Sequence, residues 1–197
     1  MPSITVYLSS SSAVDTVYQD AATALGSAIA RAGWTLIYGG NCIGLMGRLA
    51  DGARAAGGRV VGITPKLMLD EGIGDNACHE LIVTTSMRER KQLLESRGDA
   101  FIAMPGGLGT FEELFEILVG RILGYHDKPI VLLNIAGYYD PLLAMIDHGI
   151  EQRFVKPRAK EAYFVATSVD AAINHLQGRF SGLVGEGHPE GEPSAME

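Results

Sequence analysis

Residues 100–114 read AFIAMPGGLGTFEEL, and this stretch decides how the chain folds. Its first residues, AFIA, predict a buried strand, and the glycine-rich turn that follows leads into a helix that we expect to begin at Thr110. A strand that is apolar throughout is typical of a parallel sheet covered on both faces. The stretch therefore predicts one strand–turn–helix unit of a parallel α/β fold.

The same order of short apolar run and longer helical segment recurs along the chain. The predicted strands are residues 4–8, 35–38, 60–63, 81–84, 100–103, 130–133 and, more weakly, 163–165. The predicted helices are residues 14–32, 45–57, 87–97, 110–123, 139–152 and 169–177. This alternation predicts an α/β fold, a doubly wound, Rossmann-like parallel sheet with helices on both faces. We expect one domain over residues 1–178 and a disordered tail over residues 179–197, where Gly, Pro and Glu dominate.

Composition and charge exclude several classes of function. The chain has 197 residues and a formal net charge of −7, and its basic residues form no block, so we expect no nucleic-acid or anionic-membrane partner. Cys42 and Cys78 suggest neither a disulfide framework nor a metal site, and the five histidines lack metal-ligand spacing. Neither a signal peptide nor a membrane-spanning segment is evident. The expected location is the cytoplasm.

The glycine turn after the strand predicts an anion site. Gly106, Gly107 and Gly109 remove side-chain bulk, and the helix that follows begins near Thr110 with unpaired N–H groups and the positive end of its dipole. Phosphate binds such helix starts. Because Glu113 falls within one helical turn, we expect a phosphorylated small molecule to be held next to a carboxylate.

A second glycine-rich segment, YGGNCIGLMG, spans residues 38–47. Gly39, Gly40 and Gly44 form either another cradle for phosphate or ribose, or a tight turn with close helix–sheet packing. The segment is not a P-loop, because no Gly-Lys-Ser/Thr ends it. It is also a poor dinucleotide fingerprint, since it follows the second strand and the next strand ends without an acid for the NAD ribose. We therefore discount an NAD dehydrogenase.

A third strand–helix junction carries the basic segment SMRERK, which begins at Ser86. Ser86 and Glu89 predict a capping box at the helix start. Arg88, Arg90 and Lys91 then lie where the helix dipole disfavours cations, which indicates either a nearby anion or a solvated basic turn. The planar guanidinium of Arg90 suits a phosphate, a ribose hydroxyl or a carboxylate, so Arg90 is the preferred functional residue.

Two candidate positions have a structural alternative. Glu113 either completes a capping box with Thr110, or stays ionised and stabilises an oxocarbenium ion or orients a water, as cleavage of a glycosidic bond requires. Glu112 and Glu116 are close enough to compete for this role. Ser10, in the serine run after the first strand, either helps to cap the first helix or hydrogen-bonds a ligand.

Together, these segments resemble the Lonely guy family of cytokinin riboside 5′-monophosphate phosphoribohydrolases, long mislabelled as possible lysine decarboxylases. Residues 105–113 match the signature PGGxGTxxE, and residues 87–91 correspond to the element Met-His-x-Arg-Lys with Arg88 at the His position. Residues 38–47 match YGGGxxGLMG, and KPIVLLNIAGYYDPLL at residues 128–143 is also similar to the family. The resemblance covers roughly residues 4–176.

The resemblance implies hydrolysis of the N-glycosidic bond of an adenosine 5′-monophosphate, often N6-substituted, to the free base and ribose 5-phosphate. The catalytic Arg and Glu of the family fall on Arg90 and Glu113. It also implies a homodimer with sites near the subunit interface, and no metal or organic cofactor. The expected substrate and phosphate contacts are Gly106, Gly107, Gly109, Thr110, Gly39, Gly40, Gly44, Met87, Arg88, Lys91 and Ser10.

Four departures from the family pattern surround the expected ligand. The family histidine is Arg88, the Asp before Met is Ser86, the third Gly of YGGG is Asn41, and the first-strand loop, often CGSS, reads LSSS at residues 8–11. These changes bear on substrate preference more than on reaction type. They leave open a non-catalytic carrier or sensor that binds a nucleotide on the same fold. Amino-acid decarboxylation is disfavoured, because neither glycine turn offers a lysine for pyridoxal phosphate.

Overall fold

A parallel sheet of seven strands organises residues 1–185, the part of the chain that this computed structural model describes. The strands are β1 (Ser3–Tyr7), β2 (Thr35–Tyr38), β3 (Val60–Pro65), β4 (Glu80–Thr84), β5 (Ala100–Ala103), β6 (Ile130–Leu133) and β7 (Phe164–Ala166). All neighbouring strands pair in parallel, in the order β4-β3-β2-β1-β5-β6-β7. The predicted doubly wound, Rossmann-like fold is confirmed, and the strand order reverses between β1 and β5.

Six α-helices lie in the connections between the strands, and a seventh follows β7 within the described residues. They are α1 (Thr16–Arg31), α2 (Gly44–Ala55), α3 (Lys66–Asp70), α4 (Met87–Arg97), α5 (Leu108–Ile122), α6 (Asp140–Glu151) and α7 (Val169–Gly185). Short 3₁₀ turns at Ile135–Gly137 and Pro157–Ala162 precede α6 and β7. The six predicted helices are present, whereas α3 was not predicted, because five residues are too few to show a helical period.

The helices cover both faces of the sheet. Ile4 and Val6 of β1 pack with Leu25 in the core beneath α1, α2 and α7. Tyr7 points to the opposite face and packs with Leu114 in the core beneath α4, α5 and α6. Successive residues of one strand thus face two different cores, which explains why the strands are apolar throughout.

The last helix continues beyond the domain boundary expected after residue 178. Helix α7 extends to Gly185 and so includes the first part of the segment predicted as a disordered tail. Phe180 packs edge-on against Trp34 with ring centroids 5.3 Å apart, and this apolar contact keeps the helix on the domain. The rest of the predicted tail, residues 186–197, lies outside the described residues. Among the helices within residues 1–185, none has the length and apolarity needed to cross a bilayer.

Candidate active site

A cavity of about 220 Å³ opens at the edge of the sheet where β1 to β5 end. Side chains from five strand–helix junctions line it, among them Ser10 after β1, Asn41 after β2, Met68 after β3, Arg90 in α4 and Glu113 in α5. In a parallel sheet these junctions share one edge, and the crevice there is the usual ligand site. Segments that are far apart in the sequence therefore meet in one crevice.

A buried ion pair crosses the floor of the cavity. Arg90 Nη1 donates to Glu113 Oε1 at 2.9 Å, and the two side chains are only 5% and 9% exposed. Arg90 Nε donates to the Ile63 carbonyl at 3.1 Å. The guanidinium also lies against Gly39, where an added Cβ would come within 2.3 Å of Nη2. Arg90 is therefore fixed on several sides and holds one oxygen of Glu113 in place.

Glu113 does not cap its helix. Helix α5 begins at Leu108 with Gly107 as the N-cap, so Thr110 is already a helical residue. The predicted start at Thr110, and with it the capping-box alternative for Glu113, is wrong, because the extended backbone of Gly107 starts the helix earlier. Thr110 instead packs on Gly106, where a Cβ would approach its Oγ1 to 2.2 Å.

Burial and the arginine act on the Glu113 carboxyl in opposite directions. Burial raises the pKa of Glu113 above its usual value, and the charge and hydrogen bond of Arg90 offset part of that rise. The carboxylate is thus a desolvated anion with one strong partner. A second anion placed near this pair would raise the pKa of Glu113 further.

Unpaired backbone donors mark the start of α5. The N–H of Phe111 is the first to bond within the helix, to the Gly107 carbonyl at 3.0 Å. The N–H groups of Leu108, Gly109 and Thr110 precede it and have no intrahelical acceptor. Gly107, Gly109 and Thr110 line the cavity, so these donors and the positive end of the dipole lie beside the ion pair. Gly106 is buried behind them.

Packing explains the glycines of the second segment. Gly39 faces Arg90, and Gly40, with a φ of +71°, lies against the backbone of Ile63. Gly44 has a φ of +59°, and a Cβ there would come within 2.1 Å of the Ser10 carbonyl oxygen. None of the three glycines lines the cavity, so the tight-turn alternative describes their surroundings better than the cradle.

Asp75 anchors this segment, and sequence reasoning missed it. Its N–H donates to the Gly40 carbonyl at 2.8 Å, and its carboxylate accepts from the Tyr38 hydroxyl at 2.6 Å and from Arg54 Nη1 at 2.7 Å. Burial opposes ionisation of Asp75, but the hydrogen bonds from Tyr38 and Arg54 outweigh it and lower the pKa of this carboxyl. No periodic signal marks an acid in a loop, so only the three-dimensional structure identifies it.

Among the three cations at the start of α4, only Arg90 lines the cavity. Lys91 Nζ pairs with Glu112 Oε1 at 2.7 Å and with Glu116 Oε2 at 3.4 Å. Arg88 is exposed and forms no ion pair within residues 1–185. The anions that pair with Lys91 are thus carboxylates of α5. Arg88 is solvated, which is the second of the two alternatives that the sequence left open.

The capping box predicted beside these cations is confirmed in part: Ser86 caps the helix, but the Glu89 side chain returns to Thr85, one residue before the cap. The N–H of Glu89 donates to Ser86 Oγ at 3.2 Å, and Glu89 Oε2 accepts from the N–H of Thr85 at 2.8 Å. Glu89 therefore stabilises the helix start that carries Met87 and Arg90 to the cavity.

Three methionines form an apolar wall of the cavity. They are Met46 of α2, Met68 of α3 and the predicted Met87 of α4. Met68 was missed because α3 was missed. Its sulfur lies 3.8 Å from Asn41 Nδ2, while Asn41 Oδ1 is buried without a partner. Thioether side chains adapt to flat rings, so this wall suits an aromatic base.

The chain is similar in sequence and in fold to several known proteins. A family model described as possible lysine decarboxylase matches residues 46–176. A cytokinin riboside 5′-monophosphate phosphoribohydrolase from Mycobacterium tuberculosis is 44% identical over 152 residues, which cover 77% of this chain and 81% of that protein. A protein of the same name from Rhodococcoides fascians is 43% identical, with 87% of each chain covered. Among solved structures, a molybdenum cofactor binding protein from Rippkaea orientalis superposes with a TM-score of 0.71 at 26% identity, covering 91% of this chain and 97% of that one.

Proposed function

We infer the function of this chain from its family: it belongs to the family described as possible lysine decarboxylases, the same Lonely guy family that its motifs resemble. The chain is an N-glycosyl hydrolase. It cleaves the N-glycosidic bond of adenosine 5′-monophosphates, including N6-substituted ones, and releases the free base and ribose 5-phosphate. The observation that carries this conclusion is the 44% identity to a phosphoribohydrolase over 77% of the chain.

The substrate phosphate docks at the start of α5. The unpaired N–H groups of Leu108, Gly109 and Thr110 supply the donors, and the helix dipole adds a favourable potential for an anion. Ser10, from the loop after the neighbouring strand β1, lines the same cavity and offers a hydroxyl. This assignment follows from the cavity lining and from the chemistry of helix starts.

Arg90 and Glu113 act on the sugar. As the bond between the anomeric carbon and the base nitrogen breaks, positive charge develops on the ribose ring, and an adjacent carboxylate stabilises it. The Glu113 carboxylate serves this role and orients the water that attacks the anomeric carbon. Arg90 fixes the carboxylate through the 2.9 Å contact, so little reorganisation is needed when the charge appears. The base leaves with its bonding electron pair and takes up a proton.

The base lies against the wall of Met46, Met68 and Met87. The sheet order places the junctions after β5 and β1 at one end of the cavity and those after β3 and β4 at the other. A nucleotide with its phosphate on α5 therefore extends past Met46 of α2 toward Met68 and Met87. This orientation puts the glycosidic bond close to Arg90 and Glu113, between the two ends.

The chain acts as a homodimer in the cytoplasm. An apolar stripe runs along α5 to its C-cap residue; it consists of Phe115, Val119 and Leu123, which are 43%, 50% and 59% exposed. The amphipathic helix α6 nearby has no fully buried residue. A second copy of the chain would cover these apolar side chains, next to the helix that carries Glu113. Cys42 and Cys78 are free thiols, in keeping with a reducing compartment.

A binding protein without catalytic activity is the second candidate. The observation in its support is the structural similarity to the molybdenum cofactor binding protein, which is 26% identical in sequence to this chain. The deciding experiment incubates the purified chain with AMP, isopentenyladenosine monophosphate and the two unphosphorylated nucleosides, and quantifies base and ribose 5-phosphate. Release from the monophosphates, and much less from the nucleosides, supports the hydrolase. Saturable nucleotide binding without release supports the binding protein.

A further inference from the structure

We propose that Tyr138 is a positioning residue for the phosphate site, because its hydroxyl sets the orientation of the peptide between Gly106 and Gly107. The proposal rests on the function inferred above, in which phosphate docks at the start of α5. It adds a donor, the N–H of Gly107, to that site and identifies what keeps this donor directed at the ligand.

The hydrogen-bonding pattern of the turn carries the proposal. The Tyr138 hydroxyl donates to the carbonyl oxygen of Gly106. In a trans peptide, the carbonyl and the following N–H point in opposite directions. A carbonyl held by Tyr138 therefore turns the N–H of Gly107 to the other side of the turn. That side is the cavity, since Gly107 lines it and Gly106 does not.

The tyrosine itself is held firmly. Its ring stacks on Phe111 of α5, with centroids 6.4 Å apart, and meets Tyr18 of α1 edge-on at 6.0 Å. The backbone before it turns through Ala136 and Gly137, whose φ values are 52° and 72°. This turn brings the ring over the glycine segment. The hydroxyl thus reaches Gly106 from a rigid support.

The turn needs such a support because of its composition. A Gly-Gly peptide has few steric barriers, so its plane is free to rotate unless another contact fixes it. Thr110 packs on the Cα of Gly106, and the side-chain hydrogen bond to the Gly106 carbonyl comes from Tyr138. A donor that is already oriented binds an anion better than one that must be ordered on binding. The Tyr138 hydroxyl supplies this order.

Tyr139 provides a matched control within the same turn. Its hydroxyl donates to the Met104 carbonyl at 2.6 Å, two residues before the carbonyl that Tyr138 holds. The residue after Met104 is Pro105, which has no N–H. Fixing the Met104 carbonyl therefore orients no donor. Both tyrosine hydroxyls donate to a backbone carbonyl, but only the bond from Tyr138 orients an N–H group that can bind phosphate.

The test compares Tyr138→Phe with Tyr139→Phe. Each substitution removes one hydroxyl and keeps the ring. The measurements are the inhibition constant of inorganic phosphate, KM and kcat for AMP, and the inhibition constant of adenosine, which has no phosphate. Tyr138→Phe should raise the inhibition constant of inorganic phosphate about fivefold and raise KM for AMP by a similar factor, which is the effect of one misdirected hydrogen bond. Its kcat at saturating AMP and its affinity for adenosine stay within about twofold, as expected for a contact made equally in ground and transition state. Tyr139→Phe keeps the phosphate affinity, even if its melting temperature falls.

Two results would overturn the positioning role while leaving the proposed function standing. One is a Tyr138→Phe protein whose KM for AMP and inhibition constant for phosphate equal those of the unchanged chain. The other is an equal loss of phosphate affinity in both variants, which would make the effect one of general stability. An unchanged chain that releases no ribose 5-phosphate from AMP would overturn the proposed function itself.

Discussion

Arg90 Nη1 lies 2.9 Å from Glu113 Oε1, although the two residues are 23 positions apart and belong to different helices. Both helices pack on the same face of the sheet, and their N-terminal ends meet at its carboxyl edge. The pair is almost completely buried, yet it borders the cavity. An ion pair in this position is costly to desolvate, and its burial alone is weak evidence of a stabilising role. Its place beside the cavity supports the roles that we propose for the two residues.

Loss of Arg90 should destabilise the folded chain. Arg90→Ala leaves the buried Glu113 carboxylate without its partner, and we expect the free energy of unfolding to fall by about 3–5 kcal/mol at neutral pH. The double variant Arg90→Ala/Glu113→Gln should recover part of that loss, because no unpaired charge remains. Urea denaturation of the single and double variants measures both values. Equal stability of Arg90→Ala and the unchanged chain would show that the pair is not buried in solution.

The acidic limb of the pH–rate profile should report Glu113. Burial raises its pKa, so kcat/KM for AMP should fall as the pH decreases at values above the ordinary glutamate pKa of about 4.3. The rate falls toward low pH because the ionised carboxylate of Glu113 is the active form, and this form is lost as the pH drops through the raised pKa. Glu112→Gln is the matched control, because Glu112 also lines the cavity but is exposed. The control should keep the limb, moved slightly to lower pH because the charge of Glu112 contributes to the raised pKa of Glu113. Loss of the limb in Glu112→Gln would assign the titration to Glu112 instead.

Asp75 should stabilise the fold more than Asp51, although both accept from Arg54. Asp75→Asn is expected to lower the free energy of unfolding by about 1–3 kcal/mol at pH 7, because the neutral amide is a weaker acceptor than the carboxylate for the buried hydrogen bonds. The exposed Asp51→Asn should change it by less than about 0.5 kcal/mol. The pKa of Asp75 is lowered, so its contribution is present above the ordinary aspartate pKa and is lost as the pH falls through the lowered value. Thermal melts of both variants from pH 3 to pH 7 test this; a pH-independent difference would contradict it.

The stripe on α5 should hold the dimer together. A charge at its centre, Val119→Lys, is expected to convert the dimer into a monomer in sedimentation or size-exclusion measurements, since an unpaired ammonium is costly in an apolar interface. Leu67→Lys, on exposed α3, is the control and should stay dimeric. A dimeric Val119→Lys protein would place the interface elsewhere. A monomeric unchanged chain would exclude the dimer.

Much of this architecture is predictable from local signals, and the exceptions have physical reasons. The strands of the centre, such as β2, β5 and β6, carry apolar runs whose bounds match the sequence pattern. Glu113 was predicted because it follows a glycine turn by one helical turn, and Arg90 because cations at a helix start indicate a nearby anion; the family motifs imply catalytic roles for both. Asp75 and Tyr138 were not identified as contributors to the site, because each acts through a carbonyl far away in the sequence. The start of α5 was misplaced because Thr110 fits a cap pattern, whereas the N-cap position is taken by Gly107, which has no side chain to signal it.

The most direct test of the proposed mechanism is turnover by Glu113→Gln with AMP as substrate. The amide keeps the shape and a hydrogen-bonding oxygen but removes the negative charge. We expect kcat to fall by about 10²–10⁴-fold, while the dissociation constant for AMP, measured by calorimetry, changes much less. A kcat within a few-fold of the unchanged chain, with ribose 5-phosphate still released, would contradict the role of this carboxylate at the anomeric carbon.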